Sequence, residues 1–150
     1  MKKILITGAN GLLGQKLVSL LSKQQDVSLI ATAKGVCRFS LPDNVAYRTL
    51  DITNADACSD LFNEFQPDAL IHAAAMTQVD TCEDEREMCD LINITGVSNL
   101  IKAIGNRNTH FVHISTDFIY EGDEEEYFED SKVNPLSYYG SSKWKSEQLF

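Results

Sequence analysis

The sequence predicts an α/β fold built on a doubly wound parallel sheet in the order 3-2-1-4-5, and three observations carry that expectation. Short apolar runs alternate with segments of helical periodicity along the whole chain, the pattern of right-handed βαβ units. The first run, Ile4 to Ile6, meets glycines at 8, 11 and 14 immediately afterwards. The run ALIHAAA at 69–75 is apolar at nearly every position, as a strand buried on both faces should be.

Taken in order, Leu13, Leu17, Leu20 and Leu21 recur at helical spacing and predict a helix from 12 to about 24. Val27 to Thr32 is the second strand and Val45 to Leu50 the third. Thr53 or Asn54 caps a helix whose Ala57, Leu61, Phe62 and Phe65 share a face, and Pro67–Asp68 ends it. After the fourth strand, Ala69 to Ala75, a long helix is expected from about Glu85 to Ile104. It would turn Met88, Leu91, Ile92, Ile101 and Ile104 inward and close at Gly105–Asn106. His110 to Ser115 is the fifth strand, and a turn at Asn134–Pro135 leads into a last helix from about Ser137. That helix reaches Phe150 with no stop signal, so residues 1–150 are expected to form a nucleotide-binding domain truncated before its later strands and a substrate domain.

A length of 150 residues suits one core. The net charge of −9 argues against a nucleic-acid surface, and seven of the 22 acids fall between Glu121 and Asp130, where a solvated loop is expected. No apolar run reaches the length of a membrane span and the start carries no signal-peptide pattern, which points to a cytoplasmic protein. Cys37, Cys58, Cys82 and Cys89 form no C-x-x-C pair and no metal-like cluster with His72, His110 or His113, so they read as reduced structural thiols and no metal is expected.

The chemistry gathers at the carboxyl ends of the strands, where an open parallel sheet binds its ligands. In the turn Gly8-Ala9-Asn10-Gly11-Leu12-Leu13-Gly14, Gly8 and Gly11 let the backbone approach a pyrophosphate, Gly14 lets the helix pack close, and the helix N-terminus offers free N–H groups. Three glycines at this spacing arise by chance roughly 0.02 times per chain of this composition, which favours a nucleotide site over a plain tight βα turn. The second strand leads to Lys34 and Arg38 with no acid. That favours a cofactor with a 2′-phosphate, NADPH with NADH as the second candidate, over two solvated cations without a phosphate role. Tyr139 and Lys143 form Y-x-x-x-K on one helix face, a pairing that chance supplies roughly 0.4 times per chain and that therefore depends on its context. The context is a Ser115-Thr116-Asp117 turn after the fifth strand, whose Thr116 hydroxyl could share a substrate oxygen, while the Lys143 ammonium would lower the Tyr139 pKa for general acid work.

With TGANGLLG at 7–14, HAAA at 72–75, Asn93, ISTD at 114–117 and YYGSSK at 138–143, the chain resembles the extended short-chain dehydrogenase/reductase family over its whole length. HAAAMTQVDTCE, STDFIYEG and NPLSYYGSSK are most similar to dTDP-4-dehydrorhamnose reductases within it. The resemblance implies an NADPH-dependent reductase of a nucleotide-linked 4-keto sugar. Tyr139 would protonate the carbonyl oxygen, Lys143 would bond the nicotinamide ribose, and Thr116 would orient the carbonyl. It also implies that Asn93 supports the cofactor site, that Asp51 and Ile52 meet the adenine, that Ala73, Ala74 and Ala75 line the cofactor's path, and that a homodimer forms through regions beyond this sequence. Two other functions fit the same motifs: an NAD-dependent sugar-nucleotide epimerase or dehydratase, against which the basic end of the second strand argues, and a non-catalytic nucleotide-binding regulatory subunit.

Overall fold

The computed structural model describes residues 1–150, which fold as two compact units, Met1–Ala75 with Asn99–Ile114 and Met76–Ser98 with Ser115–Phe150. The first unit holds a five-stranded parallel sheet of Rossmann type in the expected order, β3-β2-β1-β4-β5. Its strands are β1 (Lys2–Thr7), β2 (Val27–Ala33), β3 (Val45–Thr49), β4 (Ala69–His72) and β5 (His110–His113). Strand order reverses between β1 and β4, where Thr7 lies beside His72. Ile4 and Ile6 pack on one face with Ala9, Val18, Leu29, Ala31 and Val45, while Leu5, in register with Ile30 and Leu70, alternates to the other.

Helix α1 (Leu12–Leu21) lies against β1 and β2, but not on the face expected. Leu13 and Leu20 are exposed; Gly14 and Val18 are buried, and Leu17 and Leu21 pack against the core. The cause is Gly14, where an added Cβ would strike the Gly8 carbonyl and the Ala9 Cα. That close approach fixes the rotation of the helix, and at 100° per residue Leu13 and Leu20 fall to one flank. Helix α2 (Ala55–Phe65) is capped by Asn54, whose side chain accepts from Ala57 N–H at 3.0 Å. It ends at Gln66 in the left-handed region, φ 51°.

β4 stops at His72 instead of Ala75. The backbone of Gly8 (φ 73°) leans over the chain there, so that a Cβ on it would lie 2.5 Å from Ala74 N, and only a strand that has already turned away leaves room. The long helix also differs from expectation. A separate α3 (Val79–Asp84) precedes it, and α4 (Arg86–Asp90) and α5 (Gly96–Ile104) are joined by a π-helical turn, Leu91–Thr95. The wider turn rotates the buried stripe, so Met88 and Leu91 are exposed while Cys89, Asn93, Val97 and Leu100 are buried. Helix α6 (Tyr138–Glu147) starts at Ser137, which accepts from Gly140 N–H at 3.0 Å. No helix is long and apolar enough to cross a membrane.

Candidate cofactor cradle and proton-donating group

In the first unit the glycine turn forms an open cradle. Gly11 caps α1 without a side-chain bond, and Gly11, Leu12 and Leu13 are exposed, so the helix N-terminus presents its first N–H groups outward at the strand-order reversal. Gly8 touches Ala73 and Ala74 through backbone alone, which brings those two alanines to the turn as expected; Ala75 follows, half-buried. This geometry fits a pyrophosphate: bare backbone, a helix dipole and no carboxylate in the turn.

At the end of β2 the two cations differ. Lys34 is exposed and ion-paired with Asp51 at 2.8 Å, which with the Thr53 bonds holds the Asp51 carboxyl below its usual range. Arg38 is exposed and enters no ion pair. Its backbone N–H donates to Asn10 Oδ1 at 2.9 Å, and Asn10 Nδ2 donates to the Val36 carbonyl at 2.9 Å. The Ile52 side chain is buried, and its carbonyl accepts from Asn99 Nδ2 at 3.0 Å, so of the expected adenine pair only Asp51 presents a side chain to the surface.

In the second unit Thr116, Tyr139 and Lys143 come together. Thr116 accepts from Phe118 N–H at 3.2 Å at the start of a short 3₁₀ turn, its hydroxyl faces Asp117 Oδ1 at 3.4 Å, and it lies close enough to the Tyr139 phenol to favour the phenolate. Phe118 meets the Tyr139 ring edge-on, centroids 6.0 Å apart. Lys143 follows one turn along α6 and is 2 % exposed. The expectation that Lys143 lowers the Tyr139 pKa is overturned. Burial of the phenol raises it, with only partial relief from Thr116, while burial pushes Lys143 down to about 8 against a smaller opposing effect of Glu147.

Four contacts that spacing does not reveal hold α6. Gly140 is required because a Cβ would strike the Phe118 carbonyl. Tyr138 N–H donates to Glu83 Oε1 at 2.5 Å, and the Tyr138 hydroxyl donates to Asp90 Oδ2 at 2.9 Å beneath the Arg86 guanidinium. Ser142 accepts from Asn93 Nδ2 at 2.9 Å, and Asn93 also exchanges bonds with Met76 N–H and C=O at 2.8 and 3.0 Å. Asn93 is therefore a buried strut whose amide is engaged by Met76 and Ser142. The small residues of GSS in YYGSSK were the signal for this close packing. A cavity of about 360 Å³ lies in the same unit, lined by Asp117, Phe118, Tyr120, Glu121, Tyr127 and Leu136 among others.

The family model described as RmlD substrate binding domain matches residues 1–150, the entire chain. The chain belongs to this RmlD family. A dTDP-4-dehydrorhamnose reductase of Aggregatibacter actinomycetemcomitans is 34 % identical over 150 residues, 99 % of this chain and 47 % of that protein. A crystal structure described as a hypothetical dTDP-4-dehydrorhamnose reductase from Sulfolobus tokodaii superposes with a TM-score of 0.84 at 38 % identity, covering 99 % of this chain and 51 % of that one. The dTDP-4-dehydrorhamnose reductase of Bacillus anthracis, solved in complex with NADP, gives a TM-score of 0.77 at 32 % identity over 99 % of this chain and 49 % of its own. The RmlD-family chain thus spans about half the length of the relatives it matches.

Proposed function

We propose that residues 1–150 are the cofactor-holding and proton-donating part of an NADPH-dependent reductase acting on a nucleotide-linked 4-keto sugar. The observation that carries this reading is the Tyr139 phenol placed beside Thr116, with Lys143 buried one turn further on. Similarity to a reductase solved with NADP supports the cofactor, and Arg38, outside any ion pair at the end of β2, supports the 2′-phosphate form. The cradle of Gly8, Gly11 and Gly14 with the N–H groups of Leu12 and Leu13 would hold the pyrophosphate, Asn10, Lys34, Arg38 and Asp51 the adenosine end, and Ala73–Ala75 the path beside it.

When bound, the nicotinamide cofactor supplies the hydride. Tyr139 donates its phenolic proton to the oxygen that becomes the alcohol, and its raised pKa keeps that proton in place at neutral pH. Thr116 donates a hydrogen bond to the phenolate left behind and steers the carbonyl. Lys143, one helical turn from Tyr139, would bond the nicotinamide ribose. Retention of all three residues favours a reductase over a regulatory subunit. The test is NADPH oxidation by the intact protein with dTDP-4-dehydrorhamnose. Oxidation that depends on the sugar is expected; nucleotide binding with no turnover on any 4-keto sugar nucleotide would overturn the reading.

A further inference from the structure

We infer that Asn10 is a positioning residue that sets the preference between cofactors with and without a 2′-phosphate, by fixing Arg38 to the glycine turn. The inference rests on the NADPH reading above and concerns one part of it. Of the two cations after β2, Lys34 is already paired with Asp51 at 2.8 Å, so Arg38 is the charge left for an added phosphate. Arg38 sits on an exposed loop, 34 to 38, that turns at Gly35 with φ 80°. A guanidinium on such a loop recognises a phosphate well only if its backbone is ordered beforehand.

Asn10 supplies that order. Its amide donates to the Val36 carbonyl and accepts from the Arg38 N–H, both at 2.9 Å, as a neighbouring strand would. Neither an aspartate, lacking the donor, nor a serine, with its single short hydroxyl, can make both bonds. The far side of the loop is held by Tyr47 and Thr49, whose hydroxyls donate to the Gly35 carbonyl at 2.9 and 3.0 Å. Because Asn10 lies between Gly8 and Gly11, it ties the phosphate turn to Arg38 across 28 residues of sequence.

The experiment is calorimetric titration of the protein with 2′,5′-ADP and 5′-AMP, which differ only in the 2′-phosphate. Wild type should bind 2′,5′-ADP about tenfold tighter or more, and Asn10→Ala should reduce that ratio about fivefold or more. In an Arg38→Ala background Asn10→Ala should leave the ratio unchanged, because Asn10 acts through Arg38. A general loosening of the turn would weaken both nucleotides and spare the ratio. Should Asn10→Ala fail to fold, Asn10→Ser is judged by the same ratio. An undiminished ratio, or the same drop without Arg38, overturns the inference while the NADPH reading stands. No 2′-phosphate preference in wild type overturns both.

Discussion

Burial of Lys143 gives the protein a pH-dependent weakness. Its pKa lies near 8, below its ordinary 10.5, so between these values the unfolded lysine binds a proton that the folded one has released. Stability therefore rises with pH across that window, and below pH 8 the folded state carries an ammonium ion in a desolvated place. Lys143→Met should stabilise the fold at pH 7 by about 1–3 kcal/mol, with the gain vanishing by pH 10.5. Urea unfolding of both forms at pH 7 and pH 10 checks this; equal stability at pH 7 would mean that the ammonium is well solvated. Tyr139→Phe keeps the ring against Phe118 and removes only the proton donor. It should leave cofactor affinity intact and lower turnover of the intact protein by roughly 10²–10⁴; a turnover near wild type would remove Tyr139 from the mechanism. Tyr139, Lys143 and Thr116 could be picked out from a spacing and a turn. The direction of the Tyr139 pKa could not, because desolvation depends on neighbours that spacing does not reveal.

Two glycines set helix placement at the scale of elements. Gly14 fixes the rotation of α1, and Gly140 lets α6 lie on the Phe118 backbone. Gly140→Ala would force α6 away from Phe118 and so pull Tyr139 from Thr116. A destabilisation of about 1–3 kcal/mol is expected from the overpacking alone, read from the urea midpoint. Neutral behaviour there would show that α6 shifts freely and that its packing does not position the phenol. Strand order and a cap at Thr53 or Asn54 were legible because each follows from local chemistry and short connections. The inward faces of α1 and of the helix after β4 were not. Leu13, Leu20, Met88 and Leu91 are apolar but exposed, while polar Asn93 is buried because Met76 and Ser142 satisfy its amide.

For the chain as a whole, β5 ends the sheet with a strand neighbour on one side only, and Val112 within it and Ile114 just after it are each 36 % exposed. Such an edge favours pairing with another chain. Residues 1–150 expressed alone are expected to self-associate, and Val112→Lys to shift them towards monomer in sedimentation velocity; a monodisperse wild-type monomer would contradict this. By itself the sequence determined the parallel sheet and its order, and it singled out the glycine turn and Thr116, Tyr139 and Lys143, because these rest on periodicity, turn chemistry and residue type within short windows. Tertiary structure alone decided that Lys34 is paired with Asp51, that Asn10 holds Arg38, and that Asn93 braces Ser142. Each of these joins residues 17 to 49 positions apart, and such a partner is chosen by where the folded backbone brings it.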